Sequence, residues 1–454
     1  MSALAALMMN RGHLVSGCDS QPPNPDYDLL HQLAESLPID ITLGNNIAHV
    51  GPESTDALVV ASYVEDTHRE VVAARKRGIP VLRREQLLGL LLRNARTLAV
   101  AGVTGKSTTT AMAAHIARRL HLEPFVLVGA YDPNMSGVNY SIGDGRSAIV
   151  EACEYRQAFL NVPREVAVIT NLYWGEHIEC YGTREEMQDA FISFASQAEV
   201  LITRGRGDAD TDLLIARLSK QLPTIRVGYG PEDDVVIRRS KIDEYSQEVI
   251  VCRNHSDEIR MKLSVGGRHN VTNAVMAAVG VSLWSGEYDL AQTSSLLDDF
   301  RSLGRRLERV NVGRPVVIDD YAHHPEQLLA GLRALREQYS ESKIGIYLQL
   351  IGFRRTNTLR SAFLDALSLF DAVFLDEIVP GTADSREDVL AVSSAMLVTE
   401  LVDRGVEAKV VDSSMLLDEW NRLIGDLDVV TVCGARRTGG LARRLIAVMG
   451  TEGQ

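Results

Sequence analysis

One stretch constrains this chain more than any other: Leu98-Ala-Val-Ala-Gly102-Val-Thr-Gly105-Lys106-Ser107-Thr-Thr-Thr110. An apolar, strand-like run ends in a glycine turn, and the turn opens directly onto a helix-like segment. Glycine lets the backbone come close to a phosphate, and the freed N–H groups at the helix start supply positive potential. Lys106 adds a mobile charge for the outer phosphates, and the Ser107 hydroxyl stands where it can ligate Mg²⁺. The spacing is G-x-x-G-K-S, tighter than the common G-x-x-x-x-G-K-[ST]. A strand–turn–helix of this kind belongs in a parallel α/β sheet, so the motif commits the surrounding chain to that class.

The rest of the sequence fits. A length of 454 residues is too long for one compact core and predicts two or three domains. Apolar residues make up 45% and charged residues 24%, ordinary for a globular protein. The net charge of −13 argues against nucleic acid or an anionic membrane as a partner, but leaves room for anionic small ligands held by local cations. No run reaches the roughly 18 apolar residues needed to cross a bilayer. The five cysteines (Cys18, Cys153, Cys180, Cys252 and Cys433) are scattered, without a CxxC pair, which predicts neither a disulfide framework nor a zinc site and suits a cytoplasmic protein.

Periodicity divides the chain into three blocks. Residues 1–95 begin with a helix closed by Gly12, then a strand over 14–19, a buried strand over 56–62, a helix over 69–77 and a strand over 79–82. Residues 96–303 hold the glycine turn, a helix from Lys106 to about Leu120, strands over 147–150 and 166–170, hairpin-like alternation over 235–263 and helices to Phe300. Residues 304–454 alternate again: strand 315–320, helix 325–339, strand 343–350, helix 359–369, strand 372–376, helix 388–404, strand 408–411, helix 414–423, strand 428–433 and helix 438–449. Short linkers predict that the blocks close over a shared cleft.

Four further stretches carry chemistry. Ile149-Val-Glu151-Ala-Cys153-Glu154-Tyr155 puts a carboxylate at a strand end. Val168-Ile-Thr-Asn171-Leu-Tyr-Trp-Gly-Glu176-His177 ends in an imidazole. Val265-Gly-Gly-Arg268-His269-Asn270-Val-Thr-Asn273 places His269 and Asn273 one helical turn apart. Leu303-Gly-Arg305-Arg306-Leu-Glu308 is followed by Asp319-Asp320-Tyr321-Ala-His323-His324-Pro325. Read alone, each has a plainer alternative: a solvated carboxylate, a structural histidine, a capping turn, or a helix N-cap at His324-Pro325 beside a buried aspartate pair.

Together with the glycine turn, and in this order, these stretches resemble the Mur ligases, relatives of the folylpolyglutamate synthetases. The family's forms are E-A-D-E-Y, I-T-N-x-x-x-D-H, G-x-H-N-x-x-N-A, G-R-R-[FL]-[EQ] and D-D-Y-[AG]-H-H-P. The resemblance implies an α/β protein of three domains: a Rossmann-like sugar-nucleotide domain, a central P-loop ATPase domain and a Rossmann-like amino-acid domain. It implies that Gly102, Val103, Thr104, Gly105, Lys106, Ser107 and Thr108 hold ATP, that His269, Asn270 and Asn273 face the adenine, and that Ser107, Glu151 and His177 hold Mg²⁺. By the same resemblance Arg305 meets the γ-phosphate, and Asp320, His323 and His324 stand where an acyl phosphate meets an incoming amine. The implied activity is ATP-dependent amide ligation. The D-D-Y-A-H-H-P form is most similar to family members that add L-alanine to UDP-N-acetylmuramate or re-attach recycled tripeptide, in peptidoglycan synthesis. A monomer or homodimer is expected, and a non-catalytic, nucleotide-binding relative is the alternative.

The chain also departs from the family pattern. Cys153 replaces an aspartate and Arg156 an acidic residue. Glu176 replaces the aspartate before His177, with an extra residue in the loop. Leu350-Ile-Gly352 stands for P-H-R near Arg354-Arg355, and Arg436-Arg437 stand in the usual G-A-G-[DN] loop. Met1-Ser2 falls on the last two residues of the family's G-I-G-G-x-G-M-S turn. The expectation is that the first strand and glycine turn of the sugar-nucleotide site are missing, while Ser62 and the loop after it still line that pocket.

Overall fold

A computed structural model describes residues 1–19, 40–44, 47, 50–51, 55–175, 178, 180–242, 246–253, 257–311, 313–381, 384–412, 420, 422, 424–434, 438 and 440–451. Its centre is a ten-stranded sheet. From one edge the strands run Asp257–Leu263, Gln247–Arg253, Val235–Ile242, Thr224–Gly228, Val200–Arg204, Val166–Ile169, Arg96–Ala101, Ser147–Glu151, Phe125–Leu127 and Tyr140–Ser141. The middle strands are parallel; the hairpin-like stretch becomes three antiparallel strands at one edge, as its alternation predicts.

Alternation along the parallel strands feeds two cores. Leu98, Val100, Val166 and Val168 face one side, covered by the helices Lys106–Arg119 and Arg268–Ser285. Ala99, Ala101, Ala167 and Ile169 face the other, covered by Phe159, Phe191 and Phe194 and by Ala3, Leu4 and Leu7 of the first helix, Ser2–Asn10. A sheet buried on both faces must be apolar throughout, which is why these strands read as unbroken hydrophobic runs.

In the first hundred residues, Leu58–Val60 pairs in parallel with Val81–Arg83, and Ser16–Asp19 with Asp40–Leu43. The last part of the chain forms a six-stranded sheet in the order Glu308–Asn311, Val316–Asp320, Val429–Gly434, Ile344–Gln349, Ala372–Leu375, Glu407–Val410, parallel except for its first pair.

One predicted helix here, 388–404, is two, and a short helix precedes the one predicted over 359–369. Residues 386–404 break at Val392, which is extended (φ −151, ψ 145), and Ser393 caps a new helix by accepting from Met396 N. A serine side chain offering the backbone a cap ends one helix and begins the next. Residues 353–367 likewise divide at Leu359. The helix expected at 414–423 falls largely outside the described residues. No helix among the described residues is long and apolar enough to cross a membrane.

Candidate active site

The two large sheets and the strand ends near Ser62 enclose a cleft of about 2130 Å³. Its floor is the glycine turn. Gly102 (φ 132) approaches so closely that a Cβ there would lie 2.0 Å from Thr170 Oγ1 and 3.0 Å from Thr170 N. Gly105 (φ 81) sits in the left-handed region as the residue before the helix, and a Cβ on it would meet Asn273 Oδ1 at 2.7 Å. Both positions need glycine for conformation and for space. Gly102, together with Val103, Thr104, Gly105, Lys106, Ser107 and Thr108, opens the helix whose N-terminus faces the cleft.

Lys106 Nζ donates to Gly102 O (2.7 Å), Val103 O (3.2 Å) and Glu154 Oε1 (3.0 Å), and pairs with that carboxylate. Burial disfavours its charge, but the Glu154 carboxylate, with lesser help from Glu151, outweighs that and holds the ammonium above its ordinary range. Burial, with Glu154 beside it, pushes the Cys153 thiol up to about 12, so this cysteine stays protonated. Glu151 closes its strand and accepts from Gly129 N at 2.5 Å. Ser107, Glu151 and Lys106 share the cleft. An alcohol and a carboxylate beside a helix N-terminus are the hard oxygen donors that Mg²⁺ takes. His177 lies outside the described residues.

The residues before His177 do something the sequence reading missed. Asn171 Oδ1 accepts from Thr104 N (2.9 Å), and its Nδ2 donates to Thr104 O (3.0 Å) and Oγ1 (2.8 Å); Thr170 Oγ1 donates to the same carbonyl at 2.5 Å. Thr170 and Asn171 therefore clamp the glycine turn from the neighbouring strand. Across the turn, His269 is half-buried and lines the cleft. Asn270 is tied to Gly266 O (2.8 Å), and buried Asn273 packs its amide on Gly105. Asn273 thus supports the turn and, with His269 and Asn270, lines the cleft.

At the junction with the last sheet, Arg305, Arg306, Asp320 and His323 all line the cleft. Arg305 is buried in a left-handed conformation (φ 58). Its guanidinium donates to Asp319 (3.1 Å), Thr438 Oγ1 (2.6 Å) and Gly434 O, groups of the last sheet. Its neighbour Arg306, which the reading passed over, is less buried. It lines the cleft, lies over the Tyr321 ring (4.8 Å) and is the cation that most offsets the burial of Asp320. Burial raises both aspartates: Asp319 despite Arg305, and Asp320 to about 6.

The two histidines separate. His323 lines the cleft, its Nδ1 bonded to Tyr321 O at 2.8 Å. A carbonyl can only accept, so Nδ1 carries a proton. His324 is 3% exposed and caps the helix Pro325–Gln338, its Nδ1 accepting from Glu326 N (3.3 Å), while its ring packs against Tyr173 at 5.0 Å. The capping alternative describes His324, and the cleft lining includes His323 without it.

Known proteins share this arrangement. Residues 1–96 match the description "Mur ligase family, catalytic domain", residues 100–281 "Mur ligase middle domain" and residues 305–436 "Mur ligase, glutamate ligase domain". A UDP-N-acetylmuramate–L-alanine ligase of Paenarthrobacter aurescens is 33% identical over 439 residues, which is 96% of this chain and 91% of that one. One from Methylococcus capsulatus is 32% identical, over 100% of this chain and 94% of its own. The crystal structure of a UDP-N-acetylmuramate-alanine ligase from Thermotoga maritima superposes with a TM-score of 0.79 at 25% identity, covering 100% and 97% of the two chains. A murein peptide ligase from Psychrobacter arcticus shares the fold at a TM-score of 0.70 and 19% identity. With three consecutive family matches and a relative 33% identical along 96% of this chain, this chain belongs to the Mur ligase family.

Proposed function

We propose that this chain is an ATP-dependent ligase that joins L-alanine to the carboxylate of UDP-N-acetylmuramate, a step of peptidoglycan precursor synthesis in the cytoplasm. The observation that carries the reading is the cleft itself. The phosphate-binding turn, Glu151, and the Arg306–Asp320–His323 group come from separate parts of the chain and face one space. The relatives named above supply the substrates' identity.

The acceptor carboxylate attacks the γ-phosphorus, the bond to ADP breaks, and an acyl phosphate forms. Phosphoryl transfer asks the protein for positioning and for countercharge. Lys106, the helix N-terminus and Arg306 supply the charge; Thr170, Asn171 and Asn273 hold the turn that aims them. Ser107 and Glu151, with His177, would hold Mg²⁺, which neutralises phosphate charge when bound. The amine of L-alanine then attacks the acyl carbon, and His323 Nε2 is the base that takes its proton. The tetrahedral intermediate collapses to amide and phosphate. Closing the cleft keeps water from the acyl phosphate.

The test is phosphate release with MgATP, UDP-N-acetylmuramate and each amino acid in turn. Release that needs the acceptor and L-alanine together supports the reading. Release with a peptide but not with L-alanine moves the chain to peptide ligation, and no acceptor-dependent release overturns the assignment.

A further inference from the structure

The loop after Glu151 holds two successive non-glycine residues in the left-handed region, Arg156 (φ 50, ψ 32) and Gln157 (φ 56, ψ 25). Side chains other than glycine keep this conformation only where their surroundings over-determine it. Here the surroundings do so from two sides. On the ATP side, Glu154 pairs with Lys106, its carbonyl accepts from Tyr181 Oη (2.6 Å) and Gln157 N (2.9 Å), and Phe159 N closes on Cys153 O (2.9 Å). On the other side Arg156 reaches across to the first part of the chain. There it donates to Ser62 O at 3.1 Å and pairs with Glu65. Ser62 is itself tied to buried Glu85, Oγ to Oε2 at 2.7 Å. Ala61, Ser62, Tyr63 and Tyr155 line the cleft.

One short loop therefore grips the phosphate-binding lysine at one end and the Ala61–Glu65 edge at the other. We propose that Arg156 is a positioning residue for the acceptor: it straps the edge that meets the sugar nucleotide to the loop that carries Glu151 and Glu154. The inference rests on the functional reading above. The backbone twist aims the arginine across the gap, and the bond to a main-chain carbonyl fixes the edge whatever side chains it bears. A strap of this kind sets acceptor position relative to the γ-phosphate, so its loss is felt in acceptor binding and in the fraction of ATP turned over productively.

The experiment is steady-state kinetics of Arg156→Ala, Arg156→Gly and Arg156→Lys beside the wild type, varying acceptor, ATP and L-alanine separately. Thermal unfolding of each variant confirms that it is folded. The expected result for Arg156→Ala is a rise in acceptor KM of about tenfold, the size of one charge-assisted hydrogen bond. The KM values for ATP and L-alanine stay unchanged, and more phosphate is released per amide formed. Arg156→Gly, which relaxes the backbone but lacks the side chain, behaves as Arg156→Ala does; Arg156→Lys, which keeps one donor, falls between. An acceptor KM that does not move, or that moves together with the other two, overturns the inference, as does a glycine variant with wild-type kinetics. Failure of the functional reading shows instead in the wild type, as absence of acceptor-dependent release.

Discussion

Replacing Arg305 by alanine separates two uses of that residue. Its side chain is 9% exposed and its partner Asp319 is fully buried, at 3.1 Å. Removing the guanidinium leaves a buried carboxylate without its counter-charge and takes a donor from Thr438 and Gly434. Breaking a buried pair from one side typically costs about 3–5 kcal/mol, far more than the pair's net worth. Burial already raises the Asp319 pKa with Arg305 present, and removing the arginine raises it further. A carboxyl raised on folding contributes stability below its unfolded value and loses it as pH rises through the folded value. The deficit of Arg305→Ala is therefore largest at neutral and higher pH and shrinks on acidification. The assay is urea unfolding followed by Trp420, which is buried in the core of the last sheet, with Trp174 and Trp284 replaced by phenylalanine in all samples. The double variant Arg305→Met/Asp319→Leu, which removes both charges, recovers most of the loss. Unfolding of Arg305→Ala indistinguishable from the reference, together with a collapse of kcat, would refute the stabilising role of the Arg305–Asp319 pair and leave Arg305 its role at the phosphate alone.

Other perturbations follow from the same geometry. Lys106→Ala abolishes ligation and also strips the counter-charge from buried Glu154, so it destabilises by about 3–5 kcal/mol; Lys106→Ala/Glu154→Gln regains stability in a urea melt but not phosphate release. Gly102→Ala places a Cβ 2.0 Å from Thr170 Oγ1 at φ 132 and is expected to cost about 2–5 kcal/mol and to weaken ATP binding, read by melting and by nucleotide titration. Burial raises the Asp320 carboxyl from the ordinary carboxylate range to about 6, so wild-type stability falls as pH rises through that window. Asp320→Asn gains up to about 3 kcal/mol on the wild type between pH 4 and pH 7, measured by melts across pH.

What was legible in the sequence was what local pattern encodes. The apolar strand, glycine turn and helix appear where they were read, because each is fixed by neighbours within a few residues. The alternation of strands and helices appears for the same reason. Long-range side-chain bonds were not legible: nothing in the spacing of Thr170-Asn171 says that these side chains clamp Thr104 across a strand pair. Arg305 and Arg306 are identical in type and adjacent, and both line the cleft, but the left-handed turn at Arg305 buries its guanidinium on Asp319, Thr438 and Gly434, while Arg306 is less buried and lies over the Tyr321 ring. His324 did carry a signal, since a residue before proline at a helix start is an N-cap position. The split at Ser393 carried one too, a serine able to cap from within an apparently continuous helix. Both were outweighed by a pattern read as a unit.

The central claim is that the acceptor carboxylate itself attacks the γ-phosphorus. Turnover with acceptor whose carboxylate carries oxygen-18, followed by mass analysis of the released phosphate, tests it most directly. The account predicts that the label appears in inorganic phosphate, because the attacking oxygen leaves with phosphorus when the amine displaces it. Unlabelled phosphate, or label in AMP, would contradict it.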